Sequence, residues 1–248
     1  MPEIDLTLAG YGLEPTDRDS RRAQLYRVAH ELRALTDQLA RSAASSDALG
    51  AAADALSSVV VALRAHGTET RTWGSVSDSS EVLSSDGTIV EHFGHFDSSP
   101  MVGPGSGIAP PLRLVVDGDV VRGDVVFGPA FEGPPGHVHG GWIAAAFDEV
   151  LGIAQTLSGS AGMTVSLRVD YRRAAPLGVP VRYEGRLVRV DGRKILTAGC
   201  AFHGETGALL QEAEALFIVV DFAAIAARNT RDSVAGGAMG SAIGGAST

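Results

Sequence analysis

Apolar and polar positions change their rhythm once along this chain, near residue 110. Before it, Leu25, Val28, Ala29, Leu32, Leu35 and Leu39 recur at helical spacing. After Ser45, Ser46 and Asp47 the same spacing resumes through Leu49, Ala52, Ala53, Leu56, Val60 and Leu63 to about His66. Apolar residues three and four apart line one face of a helix. Thr16 with Asp17 and Asp19 offers a helix start, with acids near the positive end of the dipole. The pattern predicts two helices folded as an antiparallel hairpin over residues 17–66. A pair that small is not stable alone, so it is expected to dock on the rest.

Beyond residue 110 the spacing shortens. Leu112–Val116 and Val120–Phe127 read as two strands around a turn at Asp117-Gly118. Thr164–Tyr171 is apolar at every second position from Val165, and residues 180–190, 194–203 and 208–222 continue as strands. Asp191-Gly192-Arg193 and Gly204-Glu205-Thr206-Gly207 separate them. Between the hairpin and these strands, Trp142–Val150 is rich in helix formers, has no breaker until Gly152 and is apolar on nearly every face. Such a helix is expected to be wrapped by other structure. An antiparallel sheet needs one face covered, and one helix is available to cover it, so the fold class is α+β.

The remaining stretches read as connections. Residues 67–109 are rich in Ser, Gly and Pro, with an ordered piece expected around Ile89–Phe93, a mobile one at Met101–Gly107, and extended chain at Pro110-Pro111. The organisation that follows is a helical extension at 1–66 (irregular over 1–15), a linker at 67–109, a main domain at 110–222 and a flexible tail at 223–248.

Composition narrows the functions. With 248 residues and 45% apolar content a sizeable core can be buried, and a formal net charge of −9 argues against nucleic acid and anionic membranes as partners. Cys200 is the single cysteine, which rules out an intramolecular disulfide and favours a reducing, cytoplasmic setting. The acidic start, Met1-Pro2-Glu3-Ile4-Asp5, lacks the order of a signal peptide. No uninterrupted apolar run approaches ~18 residues, so no membrane span is expected. No Gly-x-Ser-x-Gly elbow, Walker A loop or complete dinucleotide fingerprint occurs. No cofactor is expected. His92, His95, His137 and His139 match no known metal spacing, so no metal is expected either.

The chemistry concentrates at Gly133–Gly141 and the helix that follows. Paired glycines at the first turn let a ligand approach unpaired backbone N–H groups, and the helix dipole adds a seat for negative charge. Asp148 and Glu149 interrupt the apolar run, and a buried carboxylate is costly unless paired or used.

Four features occur together: the strand hairpin, Pro135-Gly136-His137-Val138-His139-Gly140-Gly141, Asp148 seven residues after the second glycine, and Thr164-Val165-Ser166-Leu167 leading to Tyr171-Arg172-Arg173-Ala174-Ala175-Pro176-Leu177-Gly178. In this combination the chain resembles the hotdog-fold acyl-coenzyme A thioesterases, in particular the PaaI-like branch, over roughly residues 110–222. The resemblance implies an antiparallel sheet wrapped around a long central helix, protomers paired as a homodimer or a dimer of dimers, and an acyl-CoA substrate. It implies Asp148 as nucleophile or general base, Gly140 and Gly141 as an oxyanion pair, and Thr164 as a holder of the attacking water. It also implies that His139 orders the loop or touches substrate.

Arg172 and Arg173 either suit the phosphates of coenzyme A, because a guanidinium contacts phosphate bidentately, or are solvated charges at a strand end. Glu149, about 100° further round the helix, is read as structural, and Cys200 as inert core. From Gly140 to Asp148 is about 12 Å along a helix at ~1.5 Å per residue. An oxyanion donor and a nucleophile must both lie about 3 Å from one carbonyl group. Two antiparallel copies of the helix meet that demand and one does not. The competing expectation is a non-catalytic acyl-CoA or fatty-acid binder on the same fold.

Overall fold

A computed structural model describes residues 20–67, 99–110 and 112–221. Helices α1 (Arg21–Ala40) and α2 (Ser46–Arg64) come first. Strands β1 (Arg113–Asp117) and β2 (Val120–Val126), a 3-10 turn at Pro129–Phe131 and helix α3 (Gly140–Thr156) follow. Strands β3 (Gly162–Tyr171), β4 (Pro180–Asp191), β5 (Lys194–His203) and β6 (Leu209–Val219) complete the order. The lead-in at 1–15, the helix start at Thr16, the segment around Ile89–Phe93 with His92 and His95, Pro111 and the tail lie outside the described residues.

The six strands form one sheet in the order β1-β2-β4-β5-β6-β3, so β1 and β3 are its edges. Every neighbouring pair is antiparallel. The hairpins β1–β2 and β4–β5 turn through two residues, with Gly118 (φ 62°) and Gly192 (φ 57°) first in each. A two-residue hairpin turn needs positive φ there, and glycine supplies it without strain.

Helix α3 crosses the concave face and buries Ile143, Ala146, Phe147, Val150, Leu151, Ile153 and Ala154. Phe147 meets Tyr183 edge-on, with ring centroids 5.0 Å apart. Beneath Val150 and Leu151 the sheet carries glycines on three adjacent strands: Gly123, Gly185 and Gly199. None of the three has positive φ; a Cβ at Gly185 would lie 2.8 Å from Val150 Cγ1, and one at Gly199 2.5 Å from Glu184 O. They are glycines because the helix and neighbouring backbone come too close for a side chain. A sheet wrapped around one long helix is the hotdog arrangement.

Several expectations are corrected. Helix α3 runs through Gly152 to Thr156, and Gly159 with φ 75° follows its end; tertiary burial outweighs the helix cost of one glycine, about 1 kcal/mol. It is not covered all round: Gly141 and Asp148 are exposed, and Ala144, Ala145 and Gly152 are only half-buried. Ser20 caps α1 by accepting from Ala23 N at 3.2 Å.

The two N-terminal helices do not close into a hairpin. Asp37 of α1 accepts from Ala130 N at 2.9 Å, and Arg33 donates to Pro104 O (3.1 Å) and Ser106 O (2.7 Å). These polar anchors hold α1 on the body of the protein. Helix α2 buries none of its residues and makes no substantial contact with α1 or the sheet. By length and composition alone α2 also passes as membrane-spanning, because its leucines and valines keep it apolar despite Asp47, Asp54 and the serines.

In Met101–Gly107, where a mobile stretch was expected, Met101, Gly103, Pro104 and Ser106 are buried and Arg33 bonds to two of the carbonyls. Cys200 is half-buried on the sheet face away from α3, not in the core. It sits cross-strand from Glu184 and Glu212. Burial, then Glu212 and Glu184, push its thiol pKa up.

Candidate active site

The loop before α3 is laced to the turn after β3. Val138 N donates to Ala175 O and Leu177 N to Gly136 O. Glu132 accepts from Gly136 N at 2.6 Å, and Gly136 takes φ 76°, open to glycine. Gly133 faces the backbone of His139, where a Cβ would lie 2.7 Å from Cα. The loop therefore delivers His139 to the start of α3 in one position.

His139 is the N-cap of α3. Its Nδ1 accepts from Gly141 N at 3.0 Å, and its carbonyl accepts from Trp142 N at 3.0 Å. An accepting Nδ1 requires the neutral ring with its proton on Nε2. Gly141 N–H is therefore already engaged, and the expected donor pair reduces to one. Gly140 N–H has no partner among the described residues. Tyr171 fixes the same turn from the sheet, its hydroxyl donating to Gly140 O at 2.8 Å. Burial raises the Tyr171 pKa, so the donor proton is held. Tyr171 was not singled out by sequence; only its place at the end of the alternating strand pointed inward.

Asp148 is exposed, and Thr164 Oγ1 donates to its Oδ1 at 3.0 Å. That contact depends on a bulge in β3. Thr164 pairs with Phe217 and Ser166 with Leu216, so Val165 is an extra residue. The bulge puts Thr164 on the same side as Leu167, Val169 and Tyr171, facing α3. Val165, expected inside by simple alternation, is 58% exposed. Asp148 keeps Oδ2 for other work and lies on the same side of α3 as Gly141, seven residues away.

Glu149 is oriented otherwise. It accepts from Ser99 Oγ at 2.9 Å, and Ser99 is itself buried. Burial raises its pKa, the Ser99 hydrogen bond lowers it, and the neighbouring Asp148 raises it further. The structural reading of Glu149 agrees with this.

The two arginines separate. Arg172 lies on the sheet face away from α3, bonded to Glu212 at 2.8 Å and near Asp170, and those contacts favour its charged form. Arg173 is exposed at the end of β3 beside the His-Gly-Gly loop, and no ion pair to its side chain occurs among the described residues. Among the described residues no group of His, Cys, Asp and Glu is arranged to hold a metal.

Helix α3 thus carries an N-terminal N–H that is unengaged among the described residues and an exposed carboxylate held by the Thr164 hydroxyl of β3. Residues 135–211 match the model of the thioesterase superfamily. The crystal structure of a thioesterase superfamily protein, RHA08564, is 34% identical and superposes with a TM-score of 0.65 over 78% of this chain and 94% of that one. The chain belongs to the thioesterase superfamily. It is 39% identical over 92 residues to the acyl-coenzyme A thioesterase THEM4 of Xenopus laevis, covering 37% of this chain and 41% of that protein. To THEM5 of Homo sapiens it is 32% identical over 76 residues, 31% of this chain and 30% of that protein. The match thus spans well under half the length of these curated relatives.

Proposed function

We propose that this protein is an acyl-CoA thioesterase that hydrolyses a thioester to a carboxylic acid and free coenzyme A. The observation that carries this is Asp148, exposed on α3 and held by Thr164 at 3.0 Å, on the helix whose first N–H at Gly140 is unengaged among the described residues. The curated relatives named acyl-coenzyme A thioesterases support the substrate class.

Catalysis needs both Gly140 and Asp148, which lie about 12 Å apart along α3 at ~1.5 Å per residue. The working unit is therefore a homodimer, alone or within a dimer of dimers, in which two α3 helices run antiparallel. Edge strand β3, with Met163 46% and Val165 58% exposed, supplies the matching seam. Gly140 N–H of one protomer then polarises the thioester carbonyl, and Asp148 of the other faces its carbon. Asp148 either takes a proton from water as that water attacks, or attacks directly to give an anhydride that water opens. In both routes the C–S bond breaks, the thiolate of coenzyme A leaves, and the acyl carbon gains oxygen from water. One oxyanion donor is worth about 3 kcal/mol in related chemistry. The exposed Arg173 suits a coenzyme A phosphate, while Arg172 is bonded to Glu212. A cytoplasmic role in fatty acid metabolism fits the single cysteine and this substrate class.

Release of free thiol from a panel of acyl-CoAs of graded chain length tests the reading. Turnover is expected on part of the panel, and Asp148→Asn should lower it by about 100-fold or more while the fold stays intact. Binding without turnover across the whole panel would make the protein a non-catalytic acyl-CoA binder instead.

A further inference from the structure

Gly140 and Gly141 open α3, and two adjacent glycines leave the backbone unusually free to turn. A donor aimed at an acyl group must hold its direction, so groups outside the two glycines have to restrain it. Both peptides that flank Gly140 are restrained. The peptide carrying Gly140 N–H is held through its carbonyl, His139 O, which accepts from Trp142 N at 3.0 Å. The next peptide is held at both ends. Its carbonyl, Gly140 O, accepts from the Tyr171 hydroxyl at 2.8 Å, and its N–H, that of Gly141, donates to His139 Nδ1 at 3.0 Å. Only the two torsions of Gly140 separate that pinned plane from the Gly140 N–H.

Tyr171 ends β3, which is an edge strand. Packing alone does not fix its ring, which is 53% exposed. Strand β6 fixes it through the backbone. Leu210 O accepts from Arg172 N at 2.9 Å and from Arg173 N at 2.8 Å. Gln211, the cross-strand partner of Tyr171, donates from Nε2 to Arg173 O at 2.8 Å. Gln211 is 1% exposed, and its Oε1 has no hydrogen-bond partner among the described residues. A buried amide oxygen left unpaired costs stability. Gln211 is therefore poorly suited to filling the core and well suited to holding Arg173 O.

We propose that Tyr171 and Gln211 are positioning residues for the oxyanion donor. Gln211 sets the end of β3, and Tyr171 carries that setting across to the Gly140–Gly141 peptide. Both act through the backbone of Gly140. The same strand end leads into the turn whose Ala175 O accepts from Val138 N, so the loop before α3 is referred to β6 as well. The chemical consequence rests on the thioesterase reading; the restraint on the backbone does not.

Tyr171→Phe keeps the ring and loses the hydroxyl, and Gln211→Leu keeps most of the volume and loses the amide. In full chain carrying isotope-labelled glycine, NMR follows solvent exchange at single glycine amides. Gly141 exchange should quicken by about fivefold in Tyr171→Phe, the loss of one ordinary hydrogen bond. Gly185 and Gly199, on the central strands, should keep the parental rate. Gln211→Leu should shift Gly141 in the same direction, with a urea midpoint no lower than the parent's. On an acyl-CoA that the parent hydrolyses, both variants should lose about tenfold in kcat at unchanged KM, because the donor acts mainly in the transition state. Unchanged Gly141 exchange in Tyr171→Phe, or equal quickening at Gly185 and Gly199, would overturn the proposal. A raised KM at constant kcat would overturn it too. A parent that releases no thiol while Gly141 responds as expected would uphold the positioning and count against the thioesterase reading alone.

Discussion

Thr164 and Glu149 show how single side chains divide the work around Asp148. Thr164 Oγ1 fixes one carboxylate oxygen at 3.0 Å. Thr164→Val keeps the branched shape and loses the donor; thiol release should fall by roughly tenfold, about 1.4 kcal/mol, and Thr164→Ser should restore most of it. Burial first, then Asp148, lift Glu149 above the usual carboxylate range, against the pull of Ser99. The folded chain therefore holds this proton more tightly than the unfolded chain. Stability from this group is fully present below the unfolded value of about 4.3 and is lost as pH rises through the folded value. Glu149→Gln keeps an acceptor for Ser99 and removes the charge. Its urea midpoint should exceed that of the parent at pH 7 and match it near pH 4.

The sequence made Gly140 and Asp148 visible through their spacing on one helix. It did not reveal that His139 engages Gly141 N–H or that Ser99 reaches Glu149. Those contacts depend on how a loop closes and on a partner far along the chain, and local pattern carries neither.

At the scale of elements, α3 and the sheet are set by close approach. Gly185 and Gly199 are cross-strand partners on β4 and β5, and Gly123 lies on β2 under the same turn of helix. A Cβ at Gly199 would lie 2.5 Å from Glu184 O and 3.1 Å from Leu151 Cδ2. Gly199→Ala should therefore destabilise by about 1–3 kcal/mol, read from the denaturation midpoint, although glycine-to-alanine in a regular strand is ordinarily favourable. The strands were legible because period-two alternation and the Asp-Gly turns agree with each other. The bulge at Val165 was not, because an extra residue breaks that period without changing the residue types. Helices α1 and α2 were legible as helices, yet their shared spacing suggested a hairpin, whereas Arg33 and Asp37 tie α1 to the body and α2 makes no substantial contact with it.

For the whole molecule, the half-covered α3 and the apolar edge strand support the proposal that a second protomer completes the site. Asp148→Asn keeps shape and removes charge, while Gly140→Trp blocks the helix start. Each should be nearly inactive alone and remain a folded dimer. Mixed after reversible dissociation, they should regain up to about a quarter of parental activity, since random pairing makes half the dimers mixed, each with one intact site. No recovery despite verified subunit exchange would place both groups in one chain's site.

The edge position of β3 also has a kinetic signature. In an isolated protomer, alternate amides of Gly162–Tyr171 have no partner strand on their outer side among the described residues. They should exchange deuterium within the fast phase typical of frayed segments, whereas β4 and β5 beneath α3 should retain theirs until global opening. Dilution below the dissociation constant should therefore unprotect β3 well before the sheet centre, and the concentration at which this happens would measure the strength of the seam without any substrate.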